Sequence, residues 1–115
     1  MPEINDEYMK QRLAAARPYT VVILHHGPSY GAPGAENTIW EHGRRNMQLQ
    51  ADGLLSIVCP VNDGSDIGGI AIFAATPTAT QDLLADDPAV VADVLRASVH
   101  ASFGFPHDSL PGDDR

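Results

Sequence analysis

The sequence predicts an α+β fold in which one four-stranded antiparallel sheet carries its helices on a single face. Three observations lead there. The chain has 115 residues, enough for one hydrophobic core and too few for two. After a leading helix, its apolar β-type runs and helical stretches follow the order β-α-β-β-α-β. Its second and third strands are separated only by NDGSD (residues 62–66), a turn composition that makes an antiparallel hairpin the default.

Residues 4–17 read as a short amphipathic helix. Asn5 or Asp6 caps it, Glu7 complements its N-terminus, and Arg12 and Arg17 lie towards its other end. Tyr8, Leu13 and Ala16 form its apolar stripe, and Pro18 is expected to stop it. Such a stripe needs cover, and the preferred cover is a partner subunit. YTVVILHH (residues 19–26) is a run of β-branched and apolar residues, the pattern of a buried strand. The following GPSYGAPG (residues 27–34) is too rich in glycine and proline for helix or ladder and makes a loop, with the reach of a lid over a pocket. It lacks the Lys-Ser/Thr ending of a phosphate loop. Residues 36–51 return to helix, with Ile39, Trp40, Met47 and Leu49 apolar and Gly43 its weak point. Trp40 is expected in the core or an interface.

Residues 53–61 form the second strand and residues 67–75 the third, in which Gly68 and Gly69 mark a bulge or a close approach to the backbone. Pro77 or Thr78 opens a helix through Leu84, and Asp86-Asp87-Pro88 starts a further turn with proline at its first position. Residues 94–105 form the fourth strand, and residues 106–115 a loose polar tail. This is the ferredoxin-like split βαβ plan, one domain over residues 1–115 with residues 1–17 as a helical extension. The strands are apolar on both parities, Val21 and Ile23 against Val22 and Leu24, Leu55 and Ile57 against Leu54 and Val58. Two buried faces follow, and a second copy of the chain would supply the missing layer as a homodimer.

Composition narrows the function. Seven Lys and Arg against fifteen Asp and Glu give a net charge of −8, which argues against nucleic acid and against an anionic membrane surface. No apolar run approaches the ~20 residues of a membrane helix. The first residues lack a signal peptide's basic-then-apolar plan, so a soluble cytoplasmic protein is expected. Cys59 is the single cysteine, which leaves no internal disulfide and no cysteine cage for zinc.

Several landmarks then come together. His42 sits inside the first long helix; Ala-Asp-Gly-Leu-Leu (residues 51–55) leads into a strand ending in Cys59-Pro60; Asp86-Asp87-Pro88 precedes a last strand that finishes near Phe103. Over residues 19–105 the chain resembles the YCII-related family of the dimeric α/β-barrel superfamily. The resemblance implies dimers with facing sheets, a pocket between sheet and helices, and a His-Asp pair for acid–base chemistry. By motif that pair is His42 and Asp87. A few members are similar to dehydrochlorinases of chlorinated hydroquinones. The chain departs from the pattern in two places: His25-His26-Gly27 stands where members often carry an aspartate, and Cys59-Pro60 where Gly-Pro is usual.

Histidine titrates nearest neutrality and can both take and give a proton. His42 is therefore the first catalytic candidate, its bland alternative being a half-exposed helix histidine beside Glu41. His26 ends the first strand on the opposite parity from His25 and is the second candidate. Asp87 either caps the turn after it or orients an imidazole, and it can do both; Asp66 is a rival partner. His100 and Ser98 belong to a polar row with Arg96 and Ser102 that faces water or lines a cavity, and they stand with Cys59 and Gly69 as substrate contacts. Cys59 reads more readily as a small core residue than as a nucleophile. No His-x-His or His-x3-His spacing is present, so no metal is expected. The combined expectation is a cofactor-independent lyase or isomerase acting on a small phenolic, quinonoid or lactone-like substrate. The alternatives are a non-catalytic ligand-binding dimer and a cofactor-free monooxygenase on the same barrel.

Overall fold

A computed structural model describes residues 3–112. The ends of the expected extension and tail, residues 1–2 and 113–115, lie outside the described residues. The elements run α1 (Asp6–Ala14), β1 (Arg17–His26), α2 (Ala35–Ala51), β2 (Leu55–Pro60), β3 (Ile67–Phe73), α3 (Pro77–Ala85), α4 (Pro88–Val91) and β4 (Leu95–Gly104). The four strands lie in the order β2-β3-β1-β4, and every neighbouring pair is antiparallel. The α+β class and the sheet are those the sequence predicts.

The central strand β1 decides the layering. Thr20, Val22 and Leu24 point to one face and are buried, whereas Val21 and Ile23 alternate to the other. The buried face meets α2, α3 and α4. The core there is Val22, Leu24, Leu55, Ala71, Phe73, Leu84 and Leu95, closed by Ala89 and Leu49. On the other face Val21, Ile23, Ile57 and Ile72 are only half-buried and Ile70 is 41% exposed. Within the chain the sheet is thus covered on one side.

The helix ends follow their sequences. Asn5 caps α1 by accepting from the Tyr8 N–H at 2.9 Å, and Thr76 caps α3 by accepting from the Ala79 N–H at 3.1 Å. The loop after β1 is pinned at its base, because the Gly27 N–H donates to Val94 O and the Ser29 N–H to Asp93 O, each at 2.9 Å. A side chain at Gly27 would collide with the Asp93 carbonyl, so this approach requires glycine. At this same end of β1 the β1–β3 register shifts between Leu24 and His25, beside the Gly68-Gly69 pair. A Cβ on Gly68 would stand 3.1 Å from the Leu95 side chain.

Four expectations need correcting. Helix α1 ends at Ala14 rather than Arg17, since the chain is extended again from Arg17, which pairs with Gly104; Pro18 lies within β1, where only β4 has begun to pair. Of the two places expected for Trp40, the core is excluded, since the side chain is 68% exposed on the outer flank of α2. Cys59 is exposed rather than buried, because β2 is an edge strand and residue 59 falls on its open face. The start of the tail is held: the Arg12 guanidinium donates to Asp108 Oδ1 at 2.8 Å and lies 4.7 Å from the Phe105 ring centroid. Among the described residues no helix is long and apolar enough to cross a membrane.

Candidate active site

Helix α2 presents Ala35, His42 and Leu49 inward, a spacing of two turns that keeps one side chain per pair of turns on the core face. Opposite His42 stands the N-terminus of α4, a single turn that packs on α2. Asp87 caps it: Oδ1 accepts from the Ala89 N–H at 2.8 Å and more distantly from Val90 N–H at 3.4 Å. That cap leaves Oδ2 free to face α2, where it lies 2.7 Å from His42 Nδ1. Capping and imidazole orientation are therefore performed by the two oxygens of one carboxylate.

The pair is enclosed. His42 is 9% and Asp87 2% exposed. Burial acts most strongly on the Asp87 carboxyl and would raise it. The His42 hydrogen bond and charge, with the Ala89 and Val90 N–H groups, outweigh burial and hold it below the ordinary carboxylate range. Arg45 stands 4.0 Å from Asp87 Oδ2 while donating to the Leu83 carbonyl at 2.6 Å, so a cation supports the carboxylate without capturing it.

An ionised carboxylate only accepts hydrogen bonds, so His42 Nδ1 carries the proton between them. In the neutral ring Nε2 is then the acceptor, and Asn46 Nδ2 stands 3.2 Å from it. Nε2 is the basic nitrogen, and rotation of the Asn46 amide would offer Oδ1 to it once it is protonated. His42 and Asn46 both line a cavity of about 430 Å³ between α2 and the sheet. Its walls are mostly apolar, including Leu24, Ile39, Val58 and Leu95, with Tyr30, Gln50 and Asn62 as further polar groups.

The predicted site residues divide between the two sides of the sheet. Gly69 lines the cavity, and a Cβ there would press to 3.2 Å from the Cys59 carbonyl. His26 lies on the helix side behind the rim, its ring stacked on Tyr30 with centroids 3.6 Å apart. His100, Ser98 and Cys59 do not join them. Their register places them on the open face, with His100 beside Val21, Ser98 beside Ile23 and Cys59 beside Ile70. His100 Nε2 and Ser98 Oγ lie 2.9 Å apart there, out in solvent. Asp66 approaches His25 at 3.7 Å rather than His42. Sequence reasoning missed Asn46 and Tyr30. Asn46 follows His42 by four residues, the helical spacing at which side chains meet.

Among the described residues, no three His, Cys, Asp or Glu side chains gather as a metal site. No protein-family model matches the chain, and no curated protein matches it. Among solved structures it is similar to the C-terminal domain of the MgtC protein from Mycobacterium tuberculosis. The two share 19% identity at a TM-score of 0.42, over 93% of this chain and 100% of that one.

Proposed function

We propose that the protein is a cofactor-independent acid–base enzyme, a lyase or isomerase for a small organic molecule, working as a homodimer. The observation that carries this reading is the buried His42–Asp87 pair at 2.7 Å beside an apolar cavity. Asp87 holds the Nδ1–H tautomer and stabilises the imidazolium that forms when Nε2 takes a proton. A substrate's acidic C–H or O–H enters where Asn46 now stands, and His42 returns the proton to another atom or to a departing group. Apolar walls with a few neutral polar groups suit a phenolic, quinonoid or lactone-like ring better than a multiply charged metabolite. The resemblance to the YCII-related family supports the same assignment of His42 and Asp87, and its dimeric barrel is the proposed assembly.

The test is turnover of a panel of substituted hydroquinones, phenols and lactones by the wild type and by His42→Ala, followed by chromatography. The substitution is expected to cut the rate about 10²–10⁴-fold with the circular dichroism spectrum unchanged. A folded His42→Ala variant that retains wild-type turnover refutes the assignment. Panel members that bind in the cavity without conversion favour the ligand-binding dimer, a reading consistent with Asn46 occupying Nε2 in the free protein.

A further inference from the structure

Ile39, Gly43 and Met47 wall the His42 cavity and also line a second hollow, of about 330 Å³, on the outer flank of α2. The remaining wall of that hollow is Trp40, with Glu36 one turn before it and Arg44 one turn after. Trp40 and Met47 are 68% and 72% exposed, so two large apolar side chains stand together in water on an otherwise polar flank. Gly43 lies between them. Its backbone is ordinary helix, and a Cβ added there would meet no atom within 4 Å. Neither conformation nor packing within the protomer demands glycine, although glycine is the least favourable residue after proline in a helix interior. The missing side chain leaves open the stretch of helix surface that borders both the cavity and the outer hollow.

We propose that this outer hollow is a second part of the ligand site, which takes the uncharged apolar tail of a molecule whose polar head lies at His42 and Asn46. The inference rests on the reading of the His42 cavity as a small-molecule site and adds the class of ligand, an amphiphile with an alkyl or aryl chain. The wall that the two hollows share, Ile39, Gly43 and Met47, selects a tail over a separate partner. The apolar lining selects an uncharged tail, and charge argues against an anionic one: the Arg44 guanidinium is already paired to Glu41 at 3.1 Å, and Glu36 would repel an anion. Trp40 and Met47 then serve as the two sides of an apolar slot, a flat ring against a flexible thioether.

A series of 4-alkylphenols from methyl to hexyl, titrated against the protein, tests this directly. Trp40 is the single tryptophan of the chain, so its emission reports on the slot alone. Affinity is expected to rise about three- to fourfold per added methylene, with a blue shift of Trp40 emission confined to the longer tails. Gly43→Leu covers that stretch of helix surface, and the gain per methylene should flatten while the variant melts no lower than wild type. Should that variant misfold, the Trp40 response of the wild type still decides. 4-Methylphenol binding with no gain along the series and a silent Trp40 overturns the tail site and leaves the His42 reading standing. A full gain retained in folded Gly43→Leu also overturns it. Trp40 emission that shifts with protein concentration alone assigns the slot to a second copy, and failure of every phenol to bind removes both the tail site and the reading beneath it.

Discussion

At the scale of single residues, Asp87 carries more than any other side chain. Its carboxyl is held below the ordinary carboxylate range, so its contribution to stability has a definite sign. That contribution is complete above the unfolded value of about 3.9 and is lost as pH falls through the depressed folded value. Asp63, an exposed group lowered by its hydrogen bonds to Ser65, acts in the same direction. Asp87→Asn should therefore flatten only part of the loss of melting temperature between pH 5 and pH 2 (on the order of the window over which carboxylates titrate); an unchanged acid profile would contradict the pairing. Asp87→Ala removes the α4 cap as well, a loss of about 0.5–2 kcal/mol before the orphaned His42 Nδ1–H is counted. The tautomer follows from the same carboxylate. Imidazole ¹⁵N shifts should report the proton of neutral His42 on Nδ1, and a ring protonated on Nε2 would reverse the roles given to Asp87 and Asn46. His42 and Asp87 were legible in the sequence from their landmarks. Asn46 was not, since an asparagine within a polar helix carries no signal until its neighbour at four residues' distance has a role.

At the scale of elements, the strands and main helices were readable because apolar runs, caps and turn residues agree at each boundary. What the sequence withheld was which parity meets the helices. Cys59 and Ile70 oppose one another on the open face, whereas Val58 and Ala71, one residue away in each strand, face the core. Trp40 follows from the same rule applied to a helix: two residues from the inward-facing His42 it turns by about 200°, and so faces out. Helix α1 is the element whose existence packing within the protomer does not explain. It has nine residues and none is buried, a length that is marginal alone in water. Its ties are the Arg12–Asp108 pair and the Arg12 stack on Phe105, both solvent-facing. Phe105 and Asp108 share a hollow with Tyr19, Ile57 and Ile72, so these ties bring α1 to the margin of the open sheet face. Arg12→Ala should leave melting unchanged within error, as for most exposed ion pairs. Deletion of residues 1–16 should weaken self-association, measured by sedimentation, more than it lowers the melting temperature. A truncated chain that associates like the full one would make α1 a solvated appendage.

At the scale of the whole molecule, the two faces of the sheet are unequal, and the proposed dimer follows from that inequality. The helix side is closed by α2, α3 and α4, while the open side offers Val21, Ile23, Ile57, Ile70 and Ile72 as a band beside the polar row Arg96, Ser98, His100 and Ser102. A contiguous apolar band rimmed by polar residues is the pattern of an interface. Cys59 supplies an internal reporter, because it sits opposite Ile70 on the β2 edge of this face, is exposed, and is the only thiol in the chain. In a face-to-face dimer Cys59 becomes shielded, so its reaction with a bulky disulfide reagent should slow as protein concentration rises through the dissociation constant. Ile70→Asp places a charge in the shielded layer but at a position that is 41% exposed in the protomer. A surface change of this kind alters protomer stability by only about 0.5 kcal/mol, whereas an unpaired charge within an interface opposes association strongly. The variant should run as a monomer by light scattering, react at Cys59 at a fast rate independent of concentration, and melt without the concentration dependence of the wild type. Wild-type Cys59 reacting at that same fast rate at every concentration would mean that the open face stays in water, and the dimeric barrel would have to be abandoned while the His42–Asp87 site, on the other side of the sheet, would stand.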